Sequence, residues 1–269
     1  MEKVKKIIAK NNSLVCVGLD SDIKKLPAHL KDVEFPQFEF NKAIIDATAD
    51  LVCAYKPNTA FYEAQGEQGI HELKMTCNYI AEKYPDVLII LDAKRADIGN
   101  TNNGYVKFAF EYLNADMITL HPYLGQEALA PFLDRADKGS VILCRTSNSG
   151  GHEFQDLEVG NKKMFEVVAE KVIDQWNLNE NCLLVVGATY PEEMKLIRSK
   201  SDTMFFLVPG IGAQGGDLEK TLQAGLNSEK SGLIISSSRG IIFADNSENF
   251  ATVAREETLK LKKEINKYR

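Results

Sequence analysis

The 269-residue sequence lacks a surplus of positive charge. It has 32 Lys and Arg residues against 38 Asp and Glu residues, a net charge of −6 at pH 7 and a pI near 5.4. Non-specific nucleic-acid binding depends on a basic surface, so the composition disfavours a nucleic-acid partner. An anionic small molecule remains compatible with this balance, because a few local cations can outweigh the charge of the whole chain.

Long apolar runs are also missing. The sequence has no stretch of about 18 apolar residues, the length that a membrane-spanning helix needs. Its first residues, MEKVKKIIAKNN, are too polar for a signal peptide. We therefore expect a cytoplasmic protein with no membrane partner.

Few side chains are available to build a metal site. The five cysteines form no CxxC motif, and the four histidines form no HxH or HxxxH pair. Since these spacings are common signatures of metal binding, no zinc or histidine-built site is predicted. The odd number of cysteines and their mostly apolar surroundings favour buried, reduced thiols over a disulfide framework.

The sequence does contain a series of short apolar runs. They are nearly continuous rather than alternating with polar residues, as expected for parallel strands covered on both faces. Segments with apolar residues at helical spacing, such as 71–84 and 163–176, lie between most of the runs. The eight runs are 13–20, 51–57, 87–94, 116–122, 140–146, 182–189, 204–210 and 232–238.

Eight strand-then-helix units predict an α/β fold, a single (β/α)8 TIM barrel, rather than an open doubly wound sheet. No Gly/Ser/Pro-rich linker divides the chain, so we expect one domain over residues 1–269. In such barrels the chemistry lies at the carboxyl ends of the strands. The polar or turn-forming residues at these positions are Asp20, Lys56, Asp92, Lys94, His121, Thr146, Ser147, Pro209, Gly210, Ser238, Arg239 and Gly240.

Charges concentrate after the first three strands. Asp92 and Lys94 are two residues apart, so on a regular strand their side chains share a face, and Lys56 on the neighbouring strand can reach the same space. Opposite neighbours keep such groups ionised. The alternative to a functional site is a purely structural network of ion pairs that fills the top of the barrel. Mg²⁺ bound by Asp20 and Asp92 is conceivable, but Lys94 already supplies positive charge there. His121 has no evident orienting partner, which favours packing over a general-base role.

A glycine-rich stretch, VPGIGAQGGD at 208–217, contains a literal GxGxxG. A dinucleotide-binding fold places this motif after its first strand, whereas here it follows the seventh. In a barrel the seventh and eighth loops form the usual phosphate site. Arg239 supplies a fork of donors suited to phosphate, and Gln214 can add an amide donor. The alternative is a plain turn beside a surface arginine.

These residues together resemble the orotidine 5′-phosphate decarboxylase family, in its single-function branch. Residues 92–101, DAKRADIGNT, are similar to the family's D-x-K-x-x-D-I-x-x-T motif. The other matching segments follow in the family's order and cover essentially the whole chain. They are GLD at 18–20, Lys56, TSN at 146–148, PGIGAQGGD at 209–217 and SSSRGI at 236–241.

The resemblance implies an activity and a catalytic set. The family converts orotidine 5′-monophosphate to UMP and CO₂, a carboxy-lyase reaction, without a cofactor. Lys56, Asp92, Lys94 and Asp97 match the family's charged tetrad, in which Lys94 would stabilise a carbanion at C6 and then protonate it. The family is a homodimer with shared active sites, so Asp97, Ile98 and Thr101 would reach into the partner's site.

Substrate contacts are implied in the same way. Asp20 and Lys56 would hold the ribose, Ser147 would meet the pyrimidine edge, and the last two loops would hold the phosphate. One departure is Ser149, where the family pattern has proline, which leaves the stiffness of the pyrimidine loop open. The residues implied at the phosphate are Pro209, Gly210, Gln214, Arg239 and Gly240.

Two other functions fit part of the pattern. Sugar-phosphate decarboxylases and aldolase-type synthases of the same broader group keep a D-x-K-x-x-D motif but use Mg²⁺, so dependence on metal discriminates them. A non-catalytic binder of phosphoribosyl ligands could retain the phosphate loops. It would gain nothing from an aspartate directed at a substrate carboxylate, so the intact tetrad argues against it.

Overall fold

The computed structural model of the chain describes residues 1–211 and 215–269. Eight parallel strands close into a barrel in the order β1–β8–β7–β6–β5–β4–β3–β2. The predicted (β/α)8 barrel is therefore confirmed. The strands are β1 Val15–Leu19, β2 Ala54–Pro57, β3 Leu88–Arg95, β4 Met117–Leu120, β5 Gly139–Arg145, β6 Cys182–Val186, β7 Phe205–Val208 and β8 Leu233–Ser237.

Helices surround the barrel and connect its strands. Two of them, α5 and α8, continue as single π-helical segments at Lys107–Tyr112 and Val172–Trp176. The helices are α1 Glu2–Asn11, α2 Pro36–Thr48, α3 Thr59–Glu63, α4 Gly66–Lys83, α5 Gly99–Val106, α6 Gly125–Leu133, α7 His152–Gln155, α8 Met164–Lys171, α9 Pro191–Lys200, α10 Leu218–Gly225, α11 Arg239–Ile242 and α12 Phe250–Asn266.

The first and last helices pack on the same hydrophobic core as the strands. Val4 and Ile7 of α1, and Ala254 and Ile265 of α12, are all buried in it. Such residues recur at helical spacing, which gives each helix one apolar face for the core and one polar face for solvent. Among the described residues, no helix is both long and apolar enough to cross a lipid bilayer.

Barrel closure follows from the composition of the strands. Apart from their carboxyl ends, the strands are almost entirely buried, and their Val, Ile, Leu and Cys side chains fill the space between barrel and helices. All five thiols of the chain are buried as well, as expected from the sequence, and burial raises the pKa of Cys16 to about 12. The buried cysteines are Cys16, Cys53, Cys77, Cys144 and Cys182.

One addition to the barrel lies between β5 and β6. A 3-10 turn at Ser149–Gly151 leads into the short helix α7, and a two-stranded antiparallel hairpin pairs Glu158–Val159 with Lys162–Lys163. The apolar pattern of the sequence does not predict this hairpin. It is short, exposed and polar, so it carries no apolar period that could reveal it.

Candidate active site

The carboxyl ends of the strands surround an open cavity of about 650 Å³. Most of the residues singled out in the sequence line it, so a space remains above the charged groups and they do not plug the barrel. The predicted site residues in its wall are Asp20, Lys56, Asp92, Lys94, Ser147, Pro209, Gly210 and Arg239.

Asp92 lies at the centre of the charged part of this wall. Its Oδ1 is 2.6 Å from Lys94 Nζ, and its Oδ2 is 2.9 Å from Lys56 Nζ. Thr119 Oγ1 donates a hydrogen bond to Oδ1 over 2.9 Å, and Asn58 Nδ2 donates to Oδ2 over 3.4 Å. A buried carboxylate needs both counter-charges and hydrogen bonds, and Asp92, which is 8% exposed, has both.

The network fixes the charge states of its buried members. Burial alone would raise the pKa of Asp92, but the positive charges of Lys56 and Lys94 outweigh it and hold that pKa well below its ordinary value. Burial alone would lower the pKa of Lys56, but the carboxylates of Asp92 and Asp20 raise it above its ordinary value. Asp92 is therefore an anion, and Lys56 a cation, throughout the neutral range.

Lys94 reaches the network through an irregularity in β3. Between Leu91 and Arg95 the register of β3 against β4 shifts, and Lys94 has a left-handed backbone with φ of 45°. Few residues other than glycine adopt this conformation, which costs free energy and recurs at functional sites. The Lys94 N–H is secured by Thr119 Oγ1 at 2.9 Å. The two side chains thus meet at a bulge, not by the regular two-residue alternation that the sequence suggested.

Asp20 adds a second carboxylate near Lys56. Its Oδ1 lies 3.8 Å from Lys56 Nζ, beyond hydrogen-bonding distance, and this buried oxygen accepts no hydrogen bond from the described residues. An unsatisfied buried acceptor costs free energy, which a donor on a bound ligand can recover. Asp20 and Asp92, the pair considered for Mg²⁺, share the Lys56 ammonium between them. Within residues 1–211 and 215–269, no three His, Cys, Asp or Glu side chains cluster closely enough to hold a metal ion.

The loop after β5 forms the uncharged part of the wall. Thr146, Ser147 and Asn148 line the cavity here. The loop packs tightly on the start of the β6 loop, because a Cβ added to Gly187 would lie 2.8 Å from both the backbone N and the Cβ of Ser147. Only glycine at position 187 permits this approach.

The loops after β7 and β8 contribute Pro209, Gly210 and Arg239. Gly210 has a φ of 101°, which favours glycine, and its carbonyl accepts a hydrogen bond from Gly216 N over 3.1 Å. Arg239 begins α11 at the cavity wall. Gly240, the next residue, is not in the wall. Gln214 lies outside the described residues, as does the middle glycine of GxGxxG.

The 97–101 segment lies outside the cavity wall of its own chain. Asn102 anchors it: Asn102 Oδ1 accepts from Asp97 N over 2.8 Å, and Asn102 Nδ2 donates to Asp97 O over 2.5 Å. Ile98 is 60% exposed and Thr101 is exposed. The structure therefore does not bring Asp97, Ile98 and Thr101 together with Lys56, Asp92 and Lys94 in one chain.

Sequence reasoning missed two residues that bind Asp92. Thr119 is a polar residue inside the apolar run of β4, and Asn58 stands two residues after Lys56. A polar residue inside an apolar strand, and an amide two residues after a lysine at a strand end, are the sequence signals that identify them. His121 contacts the carbonyl of Ala96 through Nε2 at 3.1 Å and is not in the cavity wall, which agrees with the packing role expected for it.

Known proteins with similar sequences were found over the full length. A family model described as "Orotidine 5'-phosphate decarboxylase / HUMPS family" matches residues 13–252. An orotidine 5′-phosphate decarboxylase from Cellvibrio japonicus is 48% identical over 268 residues, covering 99% of this chain and 97% of its own. Another from Phocaeicola vulgatus is 50% identical over 261 residues, with coverage of 97% and 95%.

Solved structures give the same result at the level of the fold. The structure of Leishmania donovani OMP decarboxylase has a TM-score of 0.87 and 36% sequence identity, and the match covers 99% of this chain and 97% of the other. That of Leishmania donovani UMP synthase has a TM-score of 0.88 and 38% identity, covering 99% of this chain but 55% of the other.

Proposed function

Because this chain belongs to the orotidine 5′-phosphate decarboxylase / HUMPS family, we propose that the cavity above Asp92 is its active site. The chain converts orotidine 5′-monophosphate to UMP and CO₂ in pyrimidine biosynthesis, the activity for which its full-length relatives are named. One observation carries the assignment of the site: the buried Asp92 between two lysine ammonium groups, with an open cavity beside them.

In the proposed mechanism Lys94 acts on the carbon that loses CO₂. Decarboxylation at C6 leaves a carbanion on a ring atom with no adjacent carbonyl to delocalise the charge. A fixed ammonium beside that carbon stabilises the carbanion and then supplies its proton. Lys94 suits this role because its side chain is 51% exposed and aimed by Asp92. No cofactor is part of the proposal.

Asp92 is proposed to act on the departing carboxylate. It is held as an anion, so a substrate carboxylate placed beside it is repelled until CO₂ leaves. Two unit charges about 4 Å apart interact by roughly 4 kcal/mol at an effective dielectric near 20. Full relief of this repulsion in the transition state corresponds to about a thousandfold in rate. Contacts to the phosphate and ribose must hold the substrate in place against it.

These remote contacts are assigned by position in the cavity. The open acceptor on Asp20 and the neighbouring Lys56 suit ribose hydroxyls. Ser147 faces the pyrimidine. Arg239 and the loops around it hold the phosphate, where a guanidinium fork and backbone N–H groups match the anion. The remaining proposed phosphate residues are Pro209, Gly210, Gln214 and Gly240.

We propose that two chains form a homodimer in which Asp97, Ile98 and Thr101 complete the partner's site. The position of these residues outside their own cavity, with Ile98 exposed, supports this arrangement. We further propose that residues 1–269 act as one domain, and that the protein works in the cytoplasm. A reducing compartment suits its five buried free thiols.

The test is a spectrophotometric assay with orotidine 5′-monophosphate, run with and without EDTA. We expect turnover that EDTA leaves unchanged. Turnover abolished by EDTA and restored by Mg²⁺ would assign the charged network to a metal-dependent mechanism instead. Tight binding of UMP without turnover of orotidine 5′-monophosphate would support a phosphoribosyl binder.

A further inference from the structure

We propose that Gln155 and Arg145 are positioning residues that hold the 146–151 loop in the shape that recognises the pyrimidine base. This inference rests on the proposed function, which places the base against Ser147 in that loop. Neither residue belongs to the charged network, and neither was singled out by the sequence. Their contacts with the loop carry the inference.

Gln155 binds the first residue of the loop at two points. Its Oε1 accepts a hydrogen bond from the backbone N–H of Thr146 over 2.9 Å, and its Nε2 donates to Thr146 Oγ1 over 2.8 Å. The Thr146 hydroxyl in turn donates to Asn148 Oδ1 over 2.6 Å. One amide side chain therefore fixes the backbone on one side of Ser147, and the chain of hydrogen bonds continues to the residue on the other side.

The buried side chain of Arg145 hydrogen-bonds to the Gln155 amide. This arginine is 1% exposed, and its Nη1 donates to Gln155 Oε1 over 3.3 Å. Its Nη2 lies 3.3 Å from Asp156 Oδ2 and 3.8 Å from Glu193 Oε1, while its Cζ stacks 3.7 Å from the ring centroid of Tyr190. These contacts restrain the guanidinium, and its hydrogen bond to Oε1 restrains the Gln155 amide in turn.

On its other side the loop rests against a rigid wall. Ser147 rests against Gly187, where any side chain would collide with it, and Gly187 N donates to the carbonyl of Arg145 over 2.7 Å. Ser147 is therefore confined between the β6 loop and the hydrogen bonds made by Gln155. A loop confined in this way presents its polar groups to the base without an ordering cost at binding.

These hydrogen bonds also bear on the stiffness of the loop at Ser149, where the family pattern has proline. A proline there would stiffen the loop through its fixed φ. In its absence, the Arg145–Gln155–Thr146 contacts supply the stiffness through side chains. The backbone is nevertheless compatible with proline: Asn148 has φ of −75° and ψ of 147°, the region preferred before proline, and Ser149 is the first residue of a 3-10 turn.

The decisive experiment compares binding of a ligand that has the base with one that lacks it. Calorimetry with UMP and with ribose 5-phosphate would be run on the wild type and on Gln155→Ala, with kcat and KM for orotidine 5′-monophosphate. The matched control is Glu153→Ala, an exposed change on the same short helix. Gln155→Ala is expected to weaken UMP binding and raise KM about tenfold, while ribose 5-phosphate binding and kcat change little.

A second variant tests whether order in the loop is the cause. Adding Ser149→Pro to Gln155→Ala should recover a large part of the lost UMP affinity, since the proline replaces the missing restraint. Unchanged UMP binding in Gln155→Ala, equal loss for both ligands, or no recovery with proline would each overturn the inference. A wild-type protein that does not turn over orotidine 5′-monophosphate would instead overturn the proposed function.

Discussion

The carboxyl ends of β1–β3 and the 97–101 segment differ in whether a single chain brings their functional side chains together. At the strand ends, Lys56, Asp92 and Lys94 already form hydrogen-bonded ion pairs around one buried carboxylate. In the segment that follows, Asp97 hydrogen-bonds to its neighbours Ile98 and Asn102, and Ile98 is 60% exposed. Folding of a single chain thus assembles the first group and leaves the second outside the cavity wall.

The charged side chains at the strand ends and those in the loop are therefore positioned in two different ways. Charges on adjacent strands are positioned by the barrel, whose hydrogen bonds do not depend on a second subunit. Within the described residues, the loop is positioned by hydrogen bonds to Asn102 in α5, and its proposed role in catalysis depends on a second subunit. In the proposed dimer, one site takes its strand ends from one chain and its loop from the other, so a chain damaged at the strand ends and a chain damaged in the loop should together form one intact site.

The largest expected effect comes from Lys94→Ala. Loss of the ammonium removes both carbanion stabilisation and the proton donor, so kcat should fall by at least ~10⁴-fold. Lys42→Ala is the matched control, because Lys42 has similar exposure and pairs with Glu39 on a helix away from the cavity wall. Steady-state kinetics of both variants provide the measurement. Substantial residual turnover in Lys94→Ala would remove this lysine from the chemistry.

A smaller effect is expected when chains damaged in the 97–101 loop are mixed with chains damaged at the strand ends. Lys94→Ala and Asp97→Ala chains, each inactive alone, should regain activity when mixed. Half of randomly exchanged dimers are mixed and each holds one intact site of two, so about a quarter of wild-type activity is expected. Subunit exchange must be verified by mass spectrometry of differently labelled chains. No recovery after proven exchange would mean that Asp97 serves its own chain.

The smallest effect concerns stability. Asp92→Asn leaves two lysines around a neutral amide, and we expect the free energy of unfolding to fall by about 3 kcal/mol. Because the folded pKa of Asp92 lies below its ordinary 3.8, its ionic contribution is complete above that pH and is lost on acidification. Because that of Lys56 lies above its ordinary 10.5, its contribution is lost only as pH rises beyond that value.

The difference in unfolding free energy between wild type and Asp92→Asn should therefore stay constant between about pH 5 and pH 9 and shrink outside these limits. Urea denaturation at a series of pH values measures it. Asp50→Asn is the control, since Asp50 pairs with Arg255 at an exposed site and such a pair contributes little. A difference that varies across the neutral range would contradict the charge states assigned to Asp92 and Lys56.

Much of the fold was readable from the sequence because the strands are continuous apolar runs. The run predicted at 87–94 corresponds to Leu88–Arg95, and that at 232–238 to Leu233–Ser237. The bulge at Lys94 was not predictable, since no glycine marks its left-handed backbone. It depends on the register of β3 against β4, and register is a property of two strands together.

The site was readable to the extent that its residues carry charge at strand ends. The lysines and Asp92 stand out against their apolar runs. Thr119 and Gln155 do not, because a neutral polar side chain reveals its role only through the partner that lies opposite. Gln155 contacts Thr146 at a sequence separation of nine, with a 3-10 turn and the start of α7 between them, and no single periodic pattern encodes such a contact.

The five buried thiols can serve as native probes of local unfolding in this protein. They sit in or next to the paired strands β1 and β2, in the paired strands β5 and β6, and within α4, so they sample two sides of the barrel and one outer helix. A thiol reagent modifies such a residue only after the surrounding sector opens, and the labelling rate then reports the free energy of that opening. The order in which the thiols react would give the sequence in which the sectors separate, without any introduced label site.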